Sequence, residues 1–263
     1  MLFRSAYQGY SAFGERQGNY DATIGVIAHE LGHAIFCYPD LYDPLGNSAG
    51  IGAFGLMSGG AWGNKQGEYG GATPGHLMAW SKYKSDGSLC YKDILSIDGT
   101  ENTANFNNVV FELPDNISSN TSSVTLYHTT HTNFNTKIIN ISGKTKEYFM
   151  LENIGHGGYQ AGLDYIIGGN DNTSGIAIWH IDDNQSSNAD YNHKLVDLEE
   201  AADAGLDLGT HSGKQTNLFF SGNKTEFSDS TDPNSKTYSG TSSGITIDNI
   251  SAAGDSMTFD VTF

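Results

Sequence analysis

Two histidines four residues apart, with a glutamate directly after the first, stand at His29-Glu30-Leu31-Gly32-His33. On a helix, residues i and i+4 project from one face a turn apart. Both imidazoles can then reach a single Zn²⁺ at about 2.0–2.1 Å. The carboxylate of Glu30 is placed to hold and deprotonate a water at that cation. With 9 His in 263 residues, a random sequence of this composition yields the pattern with an expectation of about 1%, so chance is a poor account. A helix that merely carries two surface imidazoles is the weaker reading.

A catalytic zinc takes three protein ligands and keeps a fourth position open, so a third ligand must come from beyond the helix. Asp40, in Tyr38-Pro39-Asp40-Leu41-Tyr42-Asp43, is the nearest good candidate. Seven residues past His33 is enough chain to leave the helix and fold back onto the ion. Asp43 is the second choice, and Glu68 and His76 are more distant alternatives. The expected metal set is therefore His29, His33 and Asp40, with Glu30 as the catalytic base. Tyr69, His76 and Tyr83 are candidate donors to a developing oxyanion, although each is read more readily as structural.

The elements that must position these residues are also legible. Asp21 is a plausible N-cap, and Ile24, Ile27, Ala28, Leu31 and Ile35 follow at helical spacing as a buried stripe, with Gly25, His29 and His33 beside it. Gly32 costs a helix interior about 1 kcal/mol relative to Ala, which points to close packing there. The helix is expected to stop before Pro39. Residues 41–72 are glycine-rich and loop-like. A second helix is expected from a Thr73 cap and Pro74 through Leu77, Met78 and Trp80 to near Lys84. After about residue 95 the pattern turns to strands, at Val109–Leu113, Val124–His128, Lys137–Ile141, Glu147–Asn153, Ile176–Ile181, Leu218–Phe220, Ile245–Ile250 and Met257–Phe263. The fold class read from this is α+β, with a β-rich, antiparallel, sandwich-like region over 96–263.

Net charge is −17, from 30 acidic against 13 basic residues, which argues against nucleic acid and anionic membrane surfaces as partners. No apolar run approaches the roughly 20 residues that span a bilayer. The balance suits an extracellular protein. Asp182, Asp183, Asp190, Asp197, Glu199 and Glu200 form a carboxylate cluster that suits Ca²⁺ as a second cation, although a solvated acidic face is the simpler account. His180, His193 and His211 are either surface residues or ligands of such a second site. Cys37 and Cys90 form either one disulfide or two buried free thiols. The oligomeric state is not readable.

Several of these stretches resemble one family. His29-Glu30-Leu31-Gly32-His33, Pro39-Asp40-Leu41-Tyr42-Asp43, Gly55-Leu56-Met57-Ser58-Gly59-Gly60-Ala61-Trp62 and Thr73-Pro74-Gly75-His76-Leu77-Met78-Ala79-Trp80-Ser81-Lys82 look like the immune inhibitor A family of secreted bacterial metallopeptidases. The later stretches Tyr148–Asn153, Gly175–Asp182 and Val196–Ala201 resemble it too. The resemblance implies a metzincin-like zinc endopeptidase acting on extracellular proteins or peptides, with residues 1–95 as the C-terminal portion of its catalytic domain. It also implies that Met57 is the methionine of a turn beneath the metal, as a hydrophobic floor. Such enzymes carry a sheet-bearing region before the motif helix. Here that helix begins about twenty residues in, so the chain is expected to lack the first part of the catalytic domain.

One departure matters. The family pattern H-E-x-x-H-x-x-G-x-x-D places a glycine at the helix-ending turn. Here Ala34-Ile35-Phe36-Cys37-Tyr38-Pro39 separates His33 from Asp40, with one extra residue and no glycine. Either Phe36 or Cys37 takes a left-handed turn at a cost of about 1–2 kcal/mol, or the helix ends by a different turn. The alternative class is a non-catalytic extracellular binding or adhesion module with a vestigial zinc site, and the intact Glu30 argues against it.

Overall fold

The structure, a computed structural model, describes residues 2–4, 10–84, 109–112, 122–127, 135–140, 144, 146–155, 160–163, 167 and 174–263. Helices and sheets segregate along the chain as an α+β arrangement. Two short antiparallel ribbons come first, β1 (Leu2–Arg4) with β2 (Tyr10–Ala12) and β3 (Arg16–Gln17) with β4 (Tyr20–Asp21). Helix α1 (Ile24–Phe36) follows, then single 3-10 turns at Gly52–Phe54 and Gly59–Trp62, then helix α2 (Ala79–Lys84).

Helix α1 starts at Thr23 and not at Asp21, because Asp21 is paired across the ribbon with Arg16. Thr23 is held extended at the helix entrance. Its hydroxyl bonds the Gly70 carbonyl at 2.8 Å, and its N–H bonds Gln17 Oε1 at 3.2 Å. The buried face also differs from the apolar stripe expected. Gly25, His29 and Gly32 are buried, whereas Ile24 is 56% and Ile35 41% exposed. The face that packs inward meets backbone and a methionine, where large side chains have no room. A Cβ on Gly25 would lie 1.9 Å from the Ala61 carbonyl oxygen, and one on Gly32 2.5 Å from Met57 Sδ.

Helix α2 is shorter than expected. From Thr73 to His76 the backbone is engaged with the glycine-rich loop: Thr73 N–H bonds Gly63 O at 3.0 Å, Gly75 N–H bonds Gly60 O at 2.8 Å, and the His76 carbonyl accepts from Leu56 at 2.9 Å. These pairings preclude helical geometry over that stretch. The helix begins where the Glu152 carboxylate accepts the Ala79 N–H at 2.9 Å.

The remaining strands are β5 (Val109–Glu112), β6 (Ser122–Tyr127), β7 (Asn135–Asn140), β8 (Glu147–Ile154), β9 (Gly175–Asp182), β10 (Val196–Leu198), β11 (Thr246–Asp248) and β12 (Ser256–Thr262). They form a five-stranded sheet in the order β10-β9-β8-β7-β5 and a three-stranded sheet in the order β11-β12-β6. The pairing is antiparallel except for β5 with β7, which is parallel, so the region is not antiparallel throughout. Leu218–Phe220 is not a strand. Phe219 makes a single bridge to Ile176, with both N–H···O contacts at 2.9 Å.

Strands β8 and β9 are buried along their whole length, which explains why they are apolar on both faces. Successive residues point to opposite sides. Phe149, Leu151 and Ile178 face the three-stranded sheet and join Ile247, Phe259 and Val261. Met150, Trp179 and Ile181 face the other way and share one core with Leu41, Phe54, Met57 and Met78. The stretch that carries the motif is thus floored by the five-stranded sheet. The expected boundary near residue 95 falls outside the described residues. Among the described residues, no helix is long and apolar enough to cross a membrane.

Candidate metal centre

Helix α1 delivers His29 and His33 to one face, as their spacing requires. The chain then leaves the helix through Cys37, which takes a left-handed conformation (φ 56°) and sends its N–H to His33 O at 3.1 Å. The residue expected to need a glycine is therefore a cysteine, at a conformational cost of about 1–2 kcal/mol. Tyr38 N–H bonds Gly32 O at 3.4 Å, and the reversal brings Asp40 back over the helix.

Three atoms converge there. His29 Nε2 lies 3.0 Å from Asp40 Oδ1, His33 Nε2 lies 3.1 Å from the same oxygen, and the two Nε2 atoms are 3.1 Å apart. Ligand atoms about 2.0–2.1 Å from a tetrahedral zinc stand roughly 3.3 Å from one another, so this near-equilateral triangle is a slightly contracted face of such a tetrahedron. The remaining ring nitrogens are fixed by backbone. His29 Nδ1 bonds Leu56 O at 2.9 Å and His33 Nδ1 bonds Tyr38 O at 2.6 Å. A carbonyl only accepts, so both Nδ1 atoms carry the proton in the neutral rings and both Nε2 lone pairs face Asp40. A carbonyl that accepts the Nδ1 proton in a hydrogen bond orients a metal-binding histidine and fixes its tautomer. The donor set fits a divalent cation of zinc type.

The Asp40 segment is itself held at several points. Leu41 N–H bonds Met57 O at 2.8 Å, and Leu41 O accepts from Ile51 N–H at 3.0 Å and from the fully buried Asn188 Nδ2 at 2.8 Å. Met57 is fully buried against Gly32, beneath the helix turn that bears His33.

Among the described residues, His29, His33 and Asp40 are the one group that could hold a metal ion. The other third-ligand candidates are engaged elsewhere. Asp43 is buried, which by itself would raise its pKa, but N–H bonds from Leu45, Asn47 and Ser48 at 2.7–3.0 Å outweigh burial and hold it below the usual range. Glu68 is lowered by a 2.6 Å bond from the Thr73 hydroxyl and by the Lys65 N–H. His76 is buried, with its pKa pushed down to about 3 by desolvation and then by Lys82.

A cavity of about 460 Å³ opens beside His29, lined also by Glu30, Tyr42, Ser58, Ala61 and Trp62. Glu30 thus faces the same space as His29. Of the three expected oxyanion donors, Tyr69 stacks on Tyr20 at 4.2 Å, Tyr83 packs against the core, and His76 bonds the Leu77 carbonyl at 3.1 Å. None lines the cavity. Tyr42 does, and sequence reasoning passed over it. Its phenol is raised by burial, then by its hydrogen bond to Asp40 and the carboxylates of Asp40 and Glu30, and its ring stacks 6.4 Å from that of His29. The available signal was alternation, since residues two apart in an extended segment share a side.

The carboxylates proposed for calcium are occupied internally. Asp182 accepts from His193 Nε2 at 2.7 Å, Asp183 from Trp80 Nε1 at 3.1 Å, Asp190 from Asn192 N–H at 3.1 Å, and Asp197 from Lys194 Nζ at 2.6 Å. Glu199 bonds His180 at 3.1 Å and Glu200 accepts the Leu206 N–H at 3.0 Å. His180 and His193 sandwich the Tyr238 ring at 4.2 and 4.1 Å, and His211 lies over Gly205. A calcium site finds no support among the described residues. Cys37 is an exposed free thiol, and Cys90 lies outside the described residues.

A helix-borne His-His-Asp triangle, with His29 and Glu30 both lining a cleft, is a donor arrangement that suits a divalent cation. Over residues 10–89 the chain is similar to the family of immune inhibitor A peptidase M6, catalytic domain, a family of metallopeptidases. The later stretches that resemble the same family lie beyond the match. No curated protein matches the chain.

Proposed function

We propose that the chain is the zinc-binding part of a metzincin-like endopeptidase that hydrolyses peptide bonds of extracellular proteins. The observation that carries this reading is the 3.0–3.1 Å triangle of His29, His33 and Asp40, opening on the cavity that Glu30 also lines. Zinc held there supplies a Lewis acid that acidifies water and polarises a carbonyl. Glu30 takes one proton from the attacking water as the new C–O bond forms at the scissile carbon. It then passes that proton to the amide nitrogen as the C–N bond breaks, leaving a carboxylic acid and an amine. Leu56 O and Tyr38 O accept from Nδ1 of His29 and His33, which turns both Nε2 atoms toward the cation position. The match over residues 10–89 supports a peptidase rather than a hydrolase of another substrate.

Glu30→Gln tests the assignment. The amide keeps the size of the side chain and cannot take a proton, so zinc content is expected to stay at one per chain while cleavage of casein falls at least about a hundredfold. Undiminished cleavage by the purified variant refutes the role of Glu30. A wild-type chain that takes up no zinc refutes the site.

A further inference from the structure

The cavity beside the triangle is not built by the motif-bearing stretch alone. Ser212, from the β-rich half of the chain, lines it together with Ala49, Gly52 and Trp62. We infer that Ser212 and the loop that carries it set which substrate side chain the cavity accepts, and that this is an uncharged apolar side chain next to the scissile bond. The inference rests on the endopeptidase reading above for the bond that is cut, and on the cavity itself for the side chain.

The loop is built to be a fixed wall. Ser212 O accepts the Ala53 N–H at 2.7 Å, and Ala49 N–H bonds Leu206 O at 2.8 Å. Contact is at backbone distance, since a Cβ on Gly52 would lie 2.3 Å from Ser212 O. At its base the Glu200 carboxylate accepts the N–H groups of Leu206 and Asp207 at 3.0 and 3.1 Å, and Asn217 Nδ2 bonds the same carboxylate at 2.8 Å. Lys214 pairs with Asp203 across the loop. Ser212 itself is exposed, so only its main chain is committed to the fold and its side chain is free to vary.

The chemistry of the lining identifies the occupant. The ionisable groups of the lining are His29, Glu30 and Tyr42. The other lining residues are small or apolar, and Trp62 presents an indole that is 49% exposed. An indole face with small neighbours and no cationic side chain favours an apolar side chain, and it leaves an acidic one without a partner among the lining residues. The volume of about 460 Å³ lies in the range of sites that hold small ligands.

The test uses the full chain loaded with zinc, and four peptides that differ at one position, Ala, Leu, Phe or Glu. Binding is read from tryptophan emission in the Glu30→Gln background, because Trp62 is half exposed while Trp80 and Trp179 are buried; Trp62→Phe should abolish the change. The Leu and Phe peptides are expected to bind at least tenfold more tightly than the Glu peptide. Ser212→Phe, which narrows the pocket, should weaken the Phe peptide tenfold or more relative to the Ala peptide, with zinc content unchanged. Ser212→Arg should raise affinity for the Glu peptide. A Phe-to-Ala ratio that is the same in Ser212→Phe and the parent overturns the inference, as does equal binding of Glu and Leu peptides. Turnover of the same peptides by the chain with Glu30 intact decides the endopeptidase reading separately: saturable, Ser212-dependent binding without cleavage keeps the wall and removes the reaction.

Discussion

Asn188 makes the coupling between the β-rich half and the metal triangle measurable. It is fully buried, and its amide reaches both sides of the junction: Nδ2 bonds Leu41 O and Val196 O at 2.8 Å each, and Oδ1 accepts the Val196 N–H at 3.0 Å. Asn188→Ala removes all three bonds. The Val196 N–H is left buried without this partner, at a cost of about 1–3 kcal/mol. Leu41 O keeps its bond from Ile51, so its loss is smaller. With the small void added, the fold should lose about 2–4 kcal/mol, which leaves a domain of ordinary stability of roughly 5–15 kcal/mol still folded. The second consequence is specific. Leu41 follows Asp40, and outer-shell bonds of this kind are worth about 10–100-fold in metal affinity. Zinc affinity measured against a competing chelator should therefore fall by that factor in Asn188→Ala. Asn217 is the control, equally buried and bonded to Glu200 Oε1 at 2.8 Å and Asp203 O at 2.8 Å but remote from Asp40. Asn217→Ala should lose comparable stability in urea while keeping the parent zinc affinity. Equal zinc affinity in Asn188→Ala and parent, with the stability loss present, refutes the claim that this amide positions the Asp40 segment.

Three further outcomes follow from the geometry. Burial alone would lower the pKa of His180, but Glu147 and Glu199 outweigh it and push it up to about 9. Against an unfolded value of about 6.5, its contribution of about 3 kcal/mol is fully present below pH 6.5 and lost as pH rises through 9, so urea midpoints of parent and His180→Gln should converge above pH 9; a constant difference between pH 6 and 10 counts against the clamp. Gly25→Ala forces a Cβ to within 1.9 Å of the Ala61 carbonyl, and should cost more than the roughly 1–3 kcal/mol of ordinary overpacking despite the better helix propensity of alanine; a rise in Tm would refute that packing. Lys82 and Glu152 form an ion pair at 3.1 Å that is 2% and 1% exposed, so Glu152→Ala should lose about 3–5 kcal/mol while Lys82→Met with Glu152→Leu recovers most of it; equal losses in the single and double variants would show that the pair is not what holds helix α2 to the sheet.

What the sequence made legible is what short-range geometry encodes. The spacing of His29 and His33 on a helix and the return of Asp40 seven residues later both depend on a dozen neighbouring residues. The misread features depend on distant ones. Hydrophobic periodicity marked Ile24 and Ile35 as buried, yet the inward face is Gly25, His29 and Gly32, because it packs on backbone at Ala61 and on Met57. The better signal was the pair of glycines seven residues apart on the face of His29. The second helix was drawn too long because Thr73 and Pro74 form a good start, while the competing bonds to Gly60 and Gly63 come from another segment. Strands β8 and β9 were legible as apolar runs, but nothing local in Leu218–Phe220 says that β10 already pairs with β9 from Trp179 to Ile181 and leaves Phe219 a single bridge at Ile176. Asn188 and Ser212 reach the site from more than a hundred residues away, and no spacing rule connects them to it.

The distribution of charge shows how the carboxylates of the β-rich half are met by the chain's own side chains among the described residues. Of the carboxylates crowded between 182 and 207, several are bonded to basic side chains of the same chain: Glu199 to His180, Asp182 to His193, and Asp197 and Asp207 to the fully buried Lys194. The Lys194 ammonium is held above the usual lysine range, because the two aspartates outweigh its desolvation. A divalent ion entering that cluster would have to displace an ammonium already held at 2.6 Å, whereas the His29–His33–Asp40 triangle presents two lone pairs and a carboxylate oxygen with no cationic side chain bonded among them. A chelator that removes zinc alone and one that removes both zinc and calcium should therefore lower Tm by the same amount, the mass-action loss RT ln(1 + [L]/Kd) of a single site. A further loss on removing calcium would place a second cation in residues the carboxylate pairing does not explain.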